Sequence, residues 1–223
     1  MATRRPKGEP VYPLNLERQL FGVINRWASF LTKEAAAMTS PEDGDRVRAA
    51  FRRRYPASVQ RAEIRRVLAL VSQHTVRDLE RLLDADVPDV DAEPRALLDE
   101  LLESVSTLVE DTIRLRAEEL DGAVADGILE RAQRVAARLA RRAVTYARFA
   151  ATRAAAAALG APEYTWRTQR DERVRSSHAA LDGRSFNWLT GSPVGHPGEP
   201  YGCRCFAVPQ LPVLRGGLLS SLF

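Results

Sequence analysis

The chain has 223 residues, a charged fraction of 28%, an apolar fraction of 45% and a formal net charge of +4. This composition is typical of a soluble globular protein with one sizeable domain or two small ones. No apolar run approaches the roughly 18 residues that cross a bilayer. The first ten residues, MATRRPKGEP, also lack the apolar stretch of a secretory signal. We therefore expect a protein made in the cytoplasm, with no membrane among its partners.

The positive charge comes almost entirely from arginine, because lysine occurs only at Lys7 and Lys33. Codon usage in a GC-rich genome favours such a composition, and acidic residues are interleaved with the arginines as on an ordinary solvated face. Two denser segments, 46–54 and 61–66, are nevertheless candidates for nonspecific contact with DNA phosphates. The arginines that would make this contact are Arg52, Arg53, Arg54, Arg65 and Arg66.

Most of the chain predicts helices. Residues 1–13 are polar and contain prolines, which indicates an N-terminal arm. From Leu14 onward, apolar residues recur every three or four positions, the period of a buried helix face. Five helices are predicted. The first starts at Leu14, the second runs from the Ser40 cap to about Tyr55, and the third runs from Ser58 to the acidic segment 84–94. The fourth covers about 95–120, and the fifth runs from beyond Gly122 to Gly160. The segment 84–94 contains two prolines and is a candidate boundary within this helical body.

Beyond Pro162 the pattern changes to short strands. Residues 164–168, 185–188 and 203–208 carry aromatic and β-branched side chains. Asp171 is expected to cap a short helix that carries His178, and Asp182-Gly183 is a strong turn signal. The fold class is therefore predicted as α+β, a mainly helical body followed by a small module with short strands.

Both cysteines of the chain and two of its three histidines lie in this last quarter. A disulfide between Cys203 and Cys205 would close a strained ring, and a reducing cytoplasm disfavours it further. Two thiolates can instead share a soft metal, and His178 with His196 completes the Cys2His2 set that structural zinc prefers. Asp171 or Asp182 is the alternative to His196 as a ligand.

Two other interpretations of these residues stay open. In the first, the cysteines are small buried hydrophobic residues on one face of a strand. In a catalytic interpretation, His178 and Cys203 form a base–nucleophile pair, or Arg175 and His178 act on a phosphodiester as in a metal-free nuclease. No phosphate-binding glycine loop or serine nucleophile elbow supports an enzyme.

A combined motif runs through the same region: Trp166, Asp171, Arg173-Val174-Arg175, His178, Leu181-Asp182-Gly183, Pro197-Gly198 and Cys203-Arg204-Cys205. Over about residues 145–209, the motif resembles the C-terminal domain of the phage Mu F-like family. These proteins are minor head or head-morphogenesis proteins of tailed double-stranded DNA phages. The family's histidine and paired cysteines correspond to His178, Cys203 and Cys205, and have invited the same metal suggestion.

The resemblance implies a structural virion protein and not an enzyme. Such a protein is assembled in the host cytoplasm, lies in the head interior at the portal vertex, and acts in procapsid assembly and DNA packaging. Its implied partners are the portal protein, the major capsid or scaffolding protein, and nonspecifically bound DNA. We divide the chain into an arm (1–13), a helical body (14–122), a Mu F-like domain (123–209) and an apolar tail (210–223).

Overall fold

The computed structural model describes residues 12–88, 95–122, 127–200 and 202–212. The long helices are α1 (Leu14–Ala36), α2 (Gly44–Arg54), α3 (Ala57–Leu83), α4 (Arg95–Leu120) and α5 (Ile128–Ala158). They are followed by β1 (Glu163–Arg167), the short helix α6 (Ser176–Ala179), β2 (Ser185–Asn187) and β3 (Phe206–Gln210). The predicted α+β class is confirmed. Among the described helices, none combines the length and apolarity that a membrane span requires.

Helix α5 is the centre of the helical body, and it packs against α1, α3 and α4. It presents fully buried alanines at Ala136, Ala140 and Ala143. Because these side chains are small, neighbouring helices can approach its backbone closely. Trp27 of α1 is fully buried in the same core, and its indole N–H donates a 3.0 Å hydrogen bond to Glu63 of α3.

All five long helices contribute to one core cluster. The composition of the acidic segment 84–94 made it a candidate boundary, but helices on both sides of it contribute to this one core. The prediction of an arm over residues 1–13 also needs correction at its end. Tyr12 is 4% exposed and belongs to the core, and its hydroxyl donates a 2.5 Å hydrogen bond to Glu17. The rest of the predicted arm lies outside the described residues.

The C-terminal module, residues 161–212, begins where α5 ends. Gly160 has a φ of +63°, which ends the helix, and the Ala161 amide donates back to the Ala156 carbonyl at 2.9 Å. The chain then enters an antiparallel sheet with strand order β2-β1-β3. Tyr164 of β1 pairs with Phe186 on one side and Pro209 on the other. A proline is tolerated there because β3 is an edge strand.

Two local predictions in the module differ from the structure. The short helix begins at Ser176, because Arg175 is extended (φ −61°, ψ 144°), and Asp171 accepts a 3.1 Å hydrogen bond from the Arg173 amide in a turn instead of capping it. Strand β3 begins at Phe206, so both cysteines lie in the loop before it. Strand alternation therefore does not explain why they share a face.

Candidate metal centre

Helix α6 and the loop before β3 bring three chemically distinctive side chains together. The Nδ1 atom of His178 lies 3.3 Å from the Cys203 sulfur and 3.7 Å from the Cys205 sulfur. All three residues are buried, and their potential ligand atoms lie within 4.8 Å of one another. Three of the four ligands predicted from the sequence therefore form one group.

The spacing of these atoms fits a tetrahedral metal ion. Zinc binds thiolate at about 2.3 Å and imidazole at about 2.0–2.1 Å, which places two such ligand atoms about 3.5 Å apart around a tetrahedron. The two nitrogen–sulfur distances, 3.3 and 3.7 Å, lie on either side of that value. The group could hold a metal ion without a large rearrangement, and its soft donors favour zinc over magnesium or calcium.

The two thiols behave electrostatically as one pair. The hydrogen bond from Cys205 holds the pKa of Cys203 below its ordinary value, with help from the Gly198 amide and from His178. The same interaction with Cys203, together with burial, raises the pKa of Cys205. The pair therefore gives up its first proton readily and its second reluctantly, which suits a site where a cation assists the second ionisation.

Gly198 lies between Cys203 and helix α5 and contacts both. Its amide donates a 3.3 Å hydrogen bond to the Cys203 sulfur, and its φ is +89°. A Cβ atom at this position would lie 3.0 Å from the carbonyl oxygen of Thr145 and 3.3 Å from the Cβ of Phe149, both on α5. The close approach requires glycine, and it fixes the position of the loop that precedes the cysteines against the long helix.

Trp166 of β1 forms another wall of the site. Its ring is fully buried and meets the His178 ring edge to face, with centroids 5.4 Å apart. Among the described residues, the indole N–H meets no acceptor at hydrogen-bond geometry, yet its interaction with Cys205 works to lower the pKa of that thiol. A thiolate at Cys205 would give this buried donor the acceptor it lacks.

The structure does not bring His196 into the cysteine group. Its Nδ1 lies 3.0 Å from the Tyr164 hydroxyl, and its ring stacks between those of Phe149 and Trp188. Burial lowers the pKa of His196 and, with the nearby carboxylate of Glu199, raises that of Tyr164 to about 12. His196 is thus placed as a neutral packing residue, and this position corrects the predicted Cys2His2 arrangement.

Neither alternative carboxylate reaches the sulfurs. Asp171 accepts hydrogen bonds of 2.6 and 2.7 Å from the Arg204 guanidinium, which lies between the two cysteines in sequence. Asp182 accepts from the Thr168 amide at 2.9 Å and from Arg170 at 3.0 Å. These acids tie the loops of the module together.

The remaining motif residues shape the chain around these contacts. Gly183 has a φ of +82°, and its amide donates to the Trp166 carbonyl at 2.8 Å, which closes the turn before β2. Arg173 and Arg175 are exposed, and Arg175 is the last residue before α6. The motif therefore consists mostly of residues that build the module around His178, Cys203 and Cys205.

Residues 108–208 match the family described as Phage Mu protein F like protein. The resemblance seen from the motif is confirmed by this match. It extends further toward the N-terminus than the motif indicated, into the second half of α4. The family suggests a phage head morphogenesis protein.

One curated relative is an uncharacterized protein of Haemophilus influenzae, 41% identical over 54 residues. The similar segment covers 24% of this chain and 12% of that protein, so the chain spans a small part of the relative's length. No solved structure matches the chain.

A polar stripe on α5, outside the motif predicted from the sequence, lies within the Mu F-like match. Thr145, Arg148 and Thr152 are spaced three and four residues apart and are all buried. The Arg148 guanidinium lies 4.9 Å over the ring of Phe206, the first residue of β3. Polar residues at helical spacing in an otherwise alanine-rich segment are the signal that could have identified this contact with the module.

The arginines predicted to contact DNA lie outside the Mu F-like match. Arg52, Arg53 and Arg54 end helix α2, while Arg65 and Arg66 lie on α3, and all five are exposed. The Arg54 guanidinium lies 5.4 Å over the Tyr55 ring.

Proposed function

We propose that the chain is a minor head protein of a tailed double-stranded DNA phage or of a particle derived from one. In this proposal it acts in head morphogenesis at the portal vertex, where it contacts the portal protein and, during assembly, the major capsid or scaffolding protein. The match to the Phage Mu protein F like protein family over residues 108–208 is the observation that carries the proposal.

The arrangement of the matched region supports an architectural role. Helix α5 is 31 residues long, its first half belongs to the core of the helical body, and Phe149 and Ala156 belong to the core of the module. Because one continuous helix enters both cores, the module is held firmly against the body. Such a rigid block is suited to form a fixed contact in an assembly.

We further propose that His178, Cys203 and Cys205 hold a zinc ion. Zinc binding contributes about 10–16 kcal/mol in small zinc-finger peptides, and the module has only one small core of its own. The ion would link α6 to the loop before β3. Three protein ligands leave one coordination position, which a water molecule would fill.

The burial of His178 weighs against a nuclease that uses Arg175 and His178. His178 is 4% exposed and its Nδ1 faces the two sulfurs, so the ring does not present a base to a phosphodiester. Among the cavities lined by described residues, the one that Cys205 lines measures about 10 Å³, space for about one water molecule.

A second candidate role is nonspecific contact with DNA through Arg52, Arg53, Arg54, Arg65 and Arg66. Their exposure supports it, since phosphate contacts require accessible guanidinium groups. We expect the affinity for DNA to fall steeply as the salt concentration rises, and to be lower still in a variant that combines Arg52→Gln with Arg53→Gln. An unchanged salt dependence in that variant would dismiss this role.

Head morphogenesis is tested with particles and with purified components. Mass spectrometry of purified particles should detect the protein in few copies, and sedimentation with portal rings encoded by the same genome should recover it in the ring fraction. Absence from the particles together with failure to sediment with the rings would refute the proposal.

The metal proposal is tested by elemental analysis of protein purified without chelator. We expect about one zinc per chain in the wild type and in His196→Gln, and a loss of zinc in His178→Gln. The two histidine variants are a matched pair within one module. Equal zinc loss in both variants would indicate that His196 is a ligand, as in the predicted Cys2His2 set. Absence of zinc from the wild type would refute the proposed metal centre.

A further inference from the structure

Helices α4 and α5 enclose a groove of about 630 Å³ on the surface of the helical body. Its apolar lining comes from both helices: Leu108 and Leu115 of α4, and Ile128, Val135 and Leu139 of α5. Leu115, Val135 and Leu139 are only half-buried, so the groove keeps apolar surface in contact with solvent.

One edge of this groove is positively charged. Arg131, Arg134 and Arg138 are exposed, line the groove, and are spaced three and four residues apart along α5. Seven residues of helix extend about 10 Å, so the three guanidinium groups form a stripe along the groove. Within the described part of the chain, none of these three guanidinium groups makes a hydrogen bond or an ion pair.

The opposite edge is close to neutral. The carboxylate there, Asp111, pairs with Arg114 at 3.2 Å. Ser104 and Thr107 direct their hydroxyls to carbonyls of their own helix, Glu100 and Glu103. The groove therefore combines an apolar floor with unopposed positive charge on the α5 side.

We propose that this groove binds an acidic amphipathic helix of a partner protein. Such a helix places apolar residues at positions i, i+3, i+4 and i+7 against the floor, and carboxylates on its flank meet the arginines. The apolar tail of this chain, residues 210–223, fits less well because its single charged side chain is Arg215, which would oppose the stripe. DNA would meet the arginines but leave the apolar floor uncovered. The inference is independent of the proposed head function.

The test uses the full chain and a labelled helical peptide of about 18 residues, with leucines on one face and glutamates along its edges. A matched peptide carries lysine at every glutamate position. Fluorescence anisotropy should show binding of the acidic peptide and none of the lysine peptide. Arg134→Glu with Arg138→Glu should weaken binding about tenfold, and Leu115→Gln by a similar factor. Arg77→Glu, an exposed α3 variant, should leave binding unchanged.

Other outcomes would overturn the proposal. Absence of acidic-peptide binding at millimolar concentration, or equal binding of the lysine peptide, removes the stated partner chemistry. Duplex DNA that binds more tightly than the peptide, with a loss in the arginine variant and none in Leu115→Gln, would make the groove edge a nucleic-acid surface. A chain ending at Pro212 that binds the peptide much more tightly than the full chain would show that the tail occupies the groove.

Discussion

Replacing Gly198 with alanine tests the contact that fixes the proposed metal centre on α5. Gly198 has a φ of +89°, a conformation that costs an L-residue about 1–2 kcal/mol. The added Cβ would also lie 3.0 Å from the Thr145 carbonyl oxygen. That oxygen belongs to a long buried helix and cannot move aside easily. Overpacking of this kind costs about 1–3 kcal/mol, so the total loss of unfolding free energy should be about 2–5 kcal/mol.

Gly160→Ala is the matched control. Gly160 also has a positive φ, +63°, but a Cβ there would meet no atom of the described residues within 4 Å. Only the conformational cost of about 1–2 kcal/mol applies to it. The difference between the two variants, about 1–3 kcal/mol, therefore isolates the close approach of the loop to α5.

Urea unfolding followed by tryptophan fluorescence measures this difference, since Trp166 and Trp188 report on the module. Hydrogen exchange of the β1 amides adds a local measurement. The Gly198→Ala variant should also hold zinc less tightly, because relief of the Cβ clash would move the residue 198 amide away from the Cys203 sulfur to which it donates. If both alanine variants lose the same stability and exchange alike, the loop is not held against α5 in the way the structure indicates.

Two further predictions concern the module. A double-mutant cycle of Arg204→Ala and Asp171→Ala should give a coupling energy of about 0.5–1 kcal/mol in urea unfolding. The reason is that two hydrogen bonds of 2.6 and 2.7 Å join these partly exposed residues. Strictly additive losses of stability would contradict the pairing. Burial holds the pKa of His196 below its ordinary value of 6.5, so its contribution to stability should be complete above pH 6.5 and be lost as the pH falls through the folded-state pKa. Thermal unfolding in excess chelator should therefore show a flatter dependence on pH for His196→Gln than for the wild type, and identical pH profiles would argue against a buried neutral imidazole.

The long helices could be predicted closely because their signals are local. Helix α4 runs over Arg95–Leu120, the range that apolar periodicity predicted, and Gly160 ends the alanine-rich helix at the expected place. Periodicity and caps depend on residues within one or two turns of each other. No information from distant parts of the chain is needed to read them.

The short elements of the module depend instead on their neighbours. Strand β3 starts three residues later than predicted, because Arg167 of β1 pairs with Phe206 and leaves the cysteines outside the ladder. Helix α6 starts only at Ser176, since the turn before it is held by the Asp171 contact with Arg204. Pairings between residues more than 30 positions apart determine these boundaries, and no local pattern encodes them.

The candidate site was predictable to the extent that its chemistry is rare. The chain has only two cysteines and three histidines, so grouping His178 with Cys203 and Cys205 follows from residue type and the need for soft donors. His196 has the same side chain but stacks against Phe149 and Trp188. Only the positions of these rings in space distinguish a packing histidine from a ligand.

Helix α5 connects the α4–α5 groove to the proposed metal centre. The Mu F-like match begins at Leu108, which lines the α4–α5 groove, and ends at Val208 in β3. It thus contains much of the groove, the whole of α5, and the module up to its last strand. The N-terminal part of α5 carries the arginine stripe, and its C-terminal part supports Gly198 and the loop of the cysteines. Because α5 is continuous between them, a partner helix bound in the groove and a zinc ion in the module would stabilise the same structural unit from opposite ends.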